Sequence, residues 1–191
     1  MNKANIAIFV SGRGSNAESL LAQQDRYSYQ VKLLLVSKAD ALAIDIAQKH
    51  KLPFEVLNKD EFSNGTSLLK LLKLHQTDFL CLAGFLWKIP SYLLQAYPNR
   101  IVNIHPSLLP KFGGKGMYGM KVHEAVVLGK ESHSGITIHL VNEKYDEGKI
   151  LFQEKLKLLE NESPTSLSSR ILKLEHLFYP KVLDSLCSTV K

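Results

Sequence analysis

The sequence predicts an α/β protein, with one domain over residues 1–191 and a doubly wound, mostly parallel sheet that carries helices on both faces. Short apolar, β-branched runs recur at 6–10, 33–36, 79–83 and 101–104, and each precedes a helix-like or turn-like stretch. The first three are apolar along their whole length, as strands are when both faces of a parallel sheet are covered. This rhythm indicates repeated βαβ units.

The pattern changes in the last third of the chain. The runs 136–141 and 150–153 are separated only by a polar loop that contains glycine, so we expect them to pair as an antiparallel edge. A final helix is predicted to begin at Pro164 with Ser163 as its N-cap, and apolar residues follow at helical spacing. Pro180 is expected to kink or end this helix.

Composition excludes several classes of protein. Apolar residues make up 45% and charged residues 22% of the chain, which argues against disorder. The net charge is +6, but the basic residues are scattered, which disfavours nucleic acid as a partner. There is no apolar run of about 18 residues and no signal-peptide pattern, so we expect a cytoplasmic protein without a membrane partner. Cys81 and Cys187 suit neither a disulfide framework nor a metal site, and no metal is expected.

A glycine-rich turn follows the first predicted strand. In the segment 10–16 (VSGRGSN), backbone N–H groups at a helix start provide a site for phosphate at Gly14, Ser15 and Asn16. Two other interpretations stay open. Ser15 and Glu18 match a capping box, and the glycines match the looser form of the dinucleotide-binding fingerprint. No acidic residue ends the second strand, where Val-Ser-Lys stands at 36–38, and this weakens the dinucleotide interpretation.

A polar pair lies on the strand at 101–105. Alternation places Asn103 and His105 on one face, and Pro106 is expected to end the strand just after them. His105 would then lie at the carboxyl end of a strand, where open α/β sheets bind their ligands. An amide and an imidazole side by side suit acyl transfer, because both can donate hydrogen bonds to a developing oxyanion.

The segment 103–110 (NIHPSLLP) resembles the signature of the folate-dependent formyltransferases, a family with a doubly wound α/β fold. The segment 11–16 is similar to the phosphate loop of one branch of that family, which formylates glycinamide ribonucleotide with 10-formyltetrahydrofolate. Further similar segments follow in order, at 83–85, 135–139, 145–148 and 175–180. Branches with an added tRNA-binding or regulatory domain are longer, so the length of 191 residues favours this branch.

The resemblance implies roles for individual residues. Asn103 and His105 would be catalytic, and Asp146 would hold His105 and raise its pKa. Gly14, Ser15 and Asn16 would bind the nucleotide phosphate. The remaining implied contacts are Glu175 with the ribosyl or glycinamide part, and Leu86, Trp87, Lys88, Ile89, Asn103 and Val141 with the folate.

The resemblance therefore predicts an enzyme of purine synthesis. It would convert glycinamide ribonucleotide and 10-formyltetrahydrofolate into formylglycinamide ribonucleotide and tetrahydrofolate, as a monomer or a homodimer. The alternative is a non-catalytic nucleotide-binding module in which His105 is structural. Trp87 departs from the arginine of many relatives, and the loop 113–119 is unusually rich in glycine.

Overall fold

The computed structural model describes residues 3–189, which contain seven strands and seven α-helices. The strands are β1 (Ala4–Val10), β2 (Tyr29–Val36), β3 (Phe54–Val56), β4 (Phe79–Leu82), β5 (Ile101–His105), β6 (His133–Leu140) and β7 (Ile150–Lys157). The helices are α1 (Ser15–Gln23), α2 (Ala43–Lys49), α3 (Lys59–Asn64), α4 (Thr66–Leu74), α5 (Ser91–Ala96), α6 (Met120–Leu128) and α7 (Pro164–Cys187). None of these helices is long and apolar enough to cross a membrane.

All seven strands form one sheet in the order β3-β2-β1-β4-β5-β6-β7. Strands β1 to β5 are parallel, and β6 pairs antiparallel with both β5 and β7. The strand order reverses between β1 and β4, and doubly wound sheets have a crevice outside the carboxyl ends of their strands at such a point. In doubly wound sheets such a crevice is the usual ligand site.

The sheet is covered on both faces, as the sequence predicts. Ile6, Ile8 and Val10 of β1 pack into a core completed by α1, α2, α6 and α7. Ala7 and Phe9 point to the other face, where α3, α4 and α5 supply the apolar partners. Burial of one large apolar side chain contributes about 1.5–3 kcal/mol, so these two layers hold the sheet rigid beneath its loops.

Most predicted elements are confirmed, with three differences. The antiparallel edge of β6 and β7 is present, and the Ser163 hydroxyl caps α7 by accepting from the backbone N–H of Ser166 at 3.1 Å. The expectation that Pro180 could end α7 is wrong, because the helix continues to Cys187. Strand β2 begins earlier than predicted, at Tyr29, and the short, exposed β3 has no counterpart in the prediction.

Candidate active site

The polar pair on β5 lies where the sequence predicts. Strand β5 ends at His105, just before Pro106, and the side chains of Asn103 and His105 both point towards Asp146. Strand β6 runs antiparallel beside them and places His139 opposite Asn103. His139 therefore lies beside the predicted pair. Four polar side chains from β5, β6 and the loop after β6 therefore converge.

The distances in this cluster define two sides of the Asp146 carboxylate. Its Oδ2 atom lies 3.6 Å from Nδ1 of His105 and accepts a hydrogen bond of 2.8 Å from the backbone N–H of Gly114. Its Oδ1 atom lies 3.4 Å from Nδ2 of Asn103 and 3.6 Å from Nε2 of His139. Asp146 has φ 57, a left-handed conformation that aspartate tolerates better than most residues.

Backbone carbonyl groups set the ring orientation of both histidines. Nε2 of His105 lies 2.8 Å from the carbonyl oxygen of Phe112, and Nδ1 of His139 lies 2.9 Å from that of Leu140. A carbonyl oxygen only accepts, so each of these nitrogens carries the hydrogen. In the neutral rings, Nδ1 of His105 is then a free base facing the cluster, and Nε2 of His139 accepts from the amide of Asn103 at 3.0 Å.

The pKa of His105 departs from the sequence expectation. Burial lowers it, the charge of Asp146 and the carbonyl of Phe112 raise it, and the net direction is down from 6.5. Asp146 thus acts in the expected direction, but the cost of desolvating the cation is larger, so the net direction favours the neutral ring. Burial raises the pKa of Asp146, but His139, His105 and the Gly114 N–H outweigh it and lower the pKa overall.

The start of the glycine-rich loop after β5, at residues 112–114, supplies backbone contacts to His105 and Asp146. Phe112 bonds His105, Gly114 bonds Asp146, and Gly113 lies between them. A Cβ atom on Gly113 would collide with the side chain of Leu109 and lie 3.2 Å from Cβ of Asp146. This close approach explains the glycine at 113. The sequence did not identify these contacts, because they are made by backbone atoms.

The phosphate-loop residues lie at the start of α1. Gly14 is the N-cap with φ 78, and the backbone N–H of Glu18 donates to its carbonyl oxygen at 2.8 Å. The capping-box interpretation is wrong, since α1 has no side-chain cap and Glu18 instead pairs with Lys49 at 3.0 Å. The first backbone N–H groups of α1 are therefore the donors available to an anion.

Two predicted substrate residues, 159 positions apart, are in contact. The side-chain amide of Asn16 donates to Oε2 of Glu175 on α7 at 2.7 Å, and Oδ1 of Asn16 is buried without a hydrogen-bond partner. Burial raises the pKa of Glu175 to about 7, and the bond from Asn16 offsets only part of that rise. The Asn16 side chain thus points to α7, which leaves its backbone N–H group as the donor available to an anion.

Apart from Asn103, the predicted folate residues lie in the loop between β4 and α5 and directly after β6. Leu86 and Lys88 are exposed, whereas Ile89 is 5% exposed and part of the core, which leaves only its backbone for a ligand. Trp87 is half-buried and packs on the rings of Phe62 and Phe85, at 5.3 Å and 5.8 Å between centroids. The backbone N–H groups of two of these residues already have acceptors: that of Leu86 donates to the Ser11 hydroxyl, and that of Val141 donates to the carbonyl of Ile101.

One buried residue near the site escaped the sequence analysis. His123 of α6 is 4% exposed, its Nδ1 atom has no hydrogen-bond partner, and burial together with the charge of His105 lowers its pKa to about 4. Its place on the buried face of α6 is the only signal that pointed to it. Among residues 3–189, no group of three or more His, Cys, Asp or Glu side chains is arranged to hold a metal ion.

The family of this protein follows from its fold, from the cluster around Asp146 and from comparison with known sequences. A family model described as Formyl transferase matches residues 4–183, so the chain belongs to the formyl transferase family, and the resemblance of the segment 103–110 is confirmed. Several of its relatives in that family are phosphoribosylglycinamide formyltransferases. The one from Bacillus subtilis (strain 168) is 33% identical over 186 residues, which cover 94% of this chain and 93% of that protein.

Other phosphoribosylglycinamide formyltransferases are also similar to this chain. The chloroplastic phosphoribosylglycinamide formyltransferase of Arabidopsis thaliana is 42% identical over 192 residues, or 97% of this chain. This chain spans only 66% of that protein's length, and 62% of a second chloroplastic relative, from Vigna unguiculata. The crystal structure of the enzyme from Bacillus halodurans superposes with a TM-score of 0.88 at 34% identity, covering 98% of this chain and 97% of the other.

Proposed function

We propose that this chain transfers the formyl group of 10-formyltetrahydrofolate to the amine of glycinamide ribonucleotide, and that residues 4–183 act as one formyltransferase domain. The observation that supports this activity is the cluster of Asn103, His105 and Asp146 at the carboxyl end of β5, in a member of the formyl transferase family. The crevice beside it has a helix start on one wall and a half-apolar loop on the other. These walls suit a phosphate and a pterin respectively.

The nucleotide and the folate are assigned to opposite walls of this crevice. Gly14, Ser15 and Asn16 present the first N–H groups of α1 to the phosphate, and Glu175 lies beside them for the ribosyl or glycinamide part. Residues 86–89 and Val141 line the folate side. The amine and the formyl carbon would meet between the walls, and this orientation supplies a large part of the rate acceleration.

The titration of His105 suggests the path of the proton. The amine nitrogen attacks the formyl carbon, and the carbonyl oxygen becomes an oxyanion that the Asn103 amide stabilises in exchange for its long 3.4 Å contact with Asp146. Nδ1 of neutral His105 accepts the proton lost by the amine. Asp146, 3.6 Å away, stabilises the resulting imidazolium, which returns the proton to N10 of the folate as the carbon–nitrogen bond breaks.

The test is an assay of formyl transfer with the wild type, His105→Ala, Asn103→Ala and a control, His50→Ala, which alters an exposed histidine at the end of α2. Loss of one oxyanion donor or of the base is expected to lower turnover by roughly 10²-fold or more, with folding intact. Turnover that needs both substrates and His105 would support the proposal. Nucleotide binding without turnover by the wild type would instead favour a non-catalytic module.

The proposed function also includes a compartment, the partners and the metal requirement of the reaction. The two cysteines, Cys81 and Cys187, are buried and free, which suits a reducing compartment such as the cytoplasm. Both substrates are small molecules, and the scatter of the basic residues along the sequence disfavours nucleic acid as a partner. The chemistry assigned to Asn103, His105 and Asp146 needs no metal ion.

A further inference from the structure

One buried hydroxyl, that of Ser11, joins the two walls of the crevice. Ser11 follows β1 directly and is only 5% exposed. Its Oγ atom accepts a hydrogen bond of 3.0 Å from the backbone N–H of Leu86, 75 positions away. Its own backbone N–H donates to the carbonyl oxygen of Gly84 at 3.1 Å. Ser11 therefore ties the loop after β1 to the loop after β4 where the strand order reverses.

Ser37, at the end of β2, supports this contact from the opposite side. Its backbone N–H donates to the carbonyl oxygen of Val10 at 3.1 Å, and its hydroxyl lies 2.6 Å from that of Ser11. Ser37 is 8% exposed, so the two hydroxyls form a nearly buried pair.

We propose that Ser11 is a positioning residue that sets the separation between the bound nucleotide and the bound folate. This inference rests on the proposed function, in which residues 14–16 bind the phosphate and residues 86–89 line the folate pocket. Ser11 precedes the first segment by three positions, and Leu86 begins the second. Because formyl transfer requires the amine and the formyl carbon in attack geometry, the relative placement of the two loops enters the rate directly.

Each loop also has contacts of its own that do not involve the Ser11 hydroxyl. The carbonyl oxygen of Gly12 accepts from the N–H of Ala43 at 3.2 Å, and Gly14 packs against α2. On the other side, Trp87 packs on Phe62. Removal of the hydroxyl is therefore expected to leave both loops folded but to weaken their coupling, since only the backbone bond from Ser11 to Gly84 then joins them.

The test compares Ser11→Ala with Ser37→Ala in the full chain. In Ser11→Ala the N–H of Leu86 loses its acceptor, and we expect the KM for 10-formyltetrahydrofolate to rise roughly tenfold. We expect kcat to fall by roughly tenfold as the reacting atoms lose alignment, while the KM for glycinamide ribonucleotide stays within about twofold. Ser37→Ala makes the same chemical change one hydrogen bond further from Leu86, and less than about threefold change is expected in any constant.

A binding measurement separates positioning from chemistry. Trp87 is the only tryptophan of the chain and is next to Leu86, so its fluorescence reports binding of 10-formyltetrahydrofolate without turnover. Ser11→Ala is expected to weaken this binding about as much as it raises the folate KM, with Tm changed by less than about 4 °C.

The outcomes distinguish this inference from the proposed function. A selective rise in the folate KM with a lower kcat supports the role of Ser11. If the wild type is active and Ser11→Ala has unchanged kinetic constants, the inference alone is overturned. It is also overturned if both serine variants lose affinity for the two substrates equally and show a large fall in Tm. A wild type without formyl transfer overturns the proposed function and this inference with it.

Discussion

Asp146 contacts more of the candidate site than any other side chain, since it lies against His105, His139, Asn103 and the N–H of Gly114. Asp146→Asn removes the charge that raises the pKa of His105, so this pKa is expected to fall further below its ordinary value. If neutral His105 is the base, the acid limb of the pH–rate profile moves to lower pH. The imidazolium also loses its partner, so turnover is expected to fall roughly tenfold or more.

The adjacent acid offers a matched control for this prediction. Glu147→Gln removes the same charge one position further along, from a side chain that pairs with Lys144 at the surface. The pH–rate profiles of the wild type and the two variants are compared with saturating substrates. A profile of Asp146→Asn that coincides with that of Glu147→Gln would exclude the role of Asp146 in stabilising the cation.

For individual residues, the sequence predicted the positions of side chains better than their pKa values. Alternation along β5 and the stop at Pro106 were enough to place Asn103 and His105 together. The role of Asp146 came only from the family resemblance, because an aspartate in a loop has no signature of its own. The lowering of the His105 pKa was not predicted, since it depends on burial beneath a loop whose path the sequence does not define.

At the scale of elements, the turn before α1 shows how backbone geometry limits the choice of residue. A Cβ atom on Gly14 would lie 2.8 Å from Cβ of Ala43 and 2.9 Å from Cδ1 of Ile46, and the residue has φ 78. Gly14→Ala is expected to lower the free energy of unfolding by about 2–4 kcal/mol, from the left-handed backbone and the overpacking against α2. Denaturant unfolding measures this loss.

Gly12 provides the control within the same turn. A Cβ atom there meets nothing within 4 Å, so Gly12→Ala is expected to change the unfolding free energy by less than about 1 kcal/mol. Under the proposed function, Gly14→Ala also raises the KM for glycinamide ribonucleotide, because the start of α1 moves away from α2. Equal stability of the two variants would show that the contact with α2 does not select glycine at position 14.

The elements predicted from the sequence were those with a strong periodic signal. The buried strands β1 and β4 read as continuous apolar runs, and α7 carries a cap, a proline at its first position and apolar spacing. Strand β3 has three exposed residues and no such signal. Pro180 did not end α7 because the packing of Tyr179 and Leu183 in the core outweighs the single backbone hydrogen bond that proline removes.

On the scale of the whole molecule, the site depends on contacts between distant parts of the chain. Asn16 meets Glu175 across 159 positions, and Ser11 meets Leu86 across 75. Tyr179 of α7 reaches the carbonyl oxygens of Leu82 and Val102, each at 3.1 Å, beneath the crevice. Apolar runs predicted the sheet that brings these segments together, but individual long-range hydrogen bonds have no local sequence signal. The fold was therefore easier to predict than the contacts that shape its site.

Glu175 also links the stability of the whole molecule to pH. Its pKa rises from 4.5 in the unfolded chain to about 7 in the folded one, so between these values the folded state holds an extra proton. This contribution is present at acid pH and is lost as the pH rises. The buried His105 and His123 and the partly buried His176 have lowered pKa values and act in the opposite sense, because acidification below 6.5 protonates them in the unfolded chain first.

Glu175→Gln should therefore separate the pH dependence of stability that comes from Glu175 from the opposite one that comes from the histidines. The amide keeps a partner for Asn16 but cannot titrate, so the variant gains stability relative to the wild type by about 1.4 kcal/mol for each unit that the pH rises between about 5 and 6.5. Urea unfolding across this range measures the difference. Glu160→Gln, which changes an exposed carboxyl, is the control and should give a difference that does not vary with pH. A flat difference for Glu175→Gln would mean that this carboxyl is ionised in the folded protein throughout the range, and that the Asn16 contact stabilises a buried anion at the crevice.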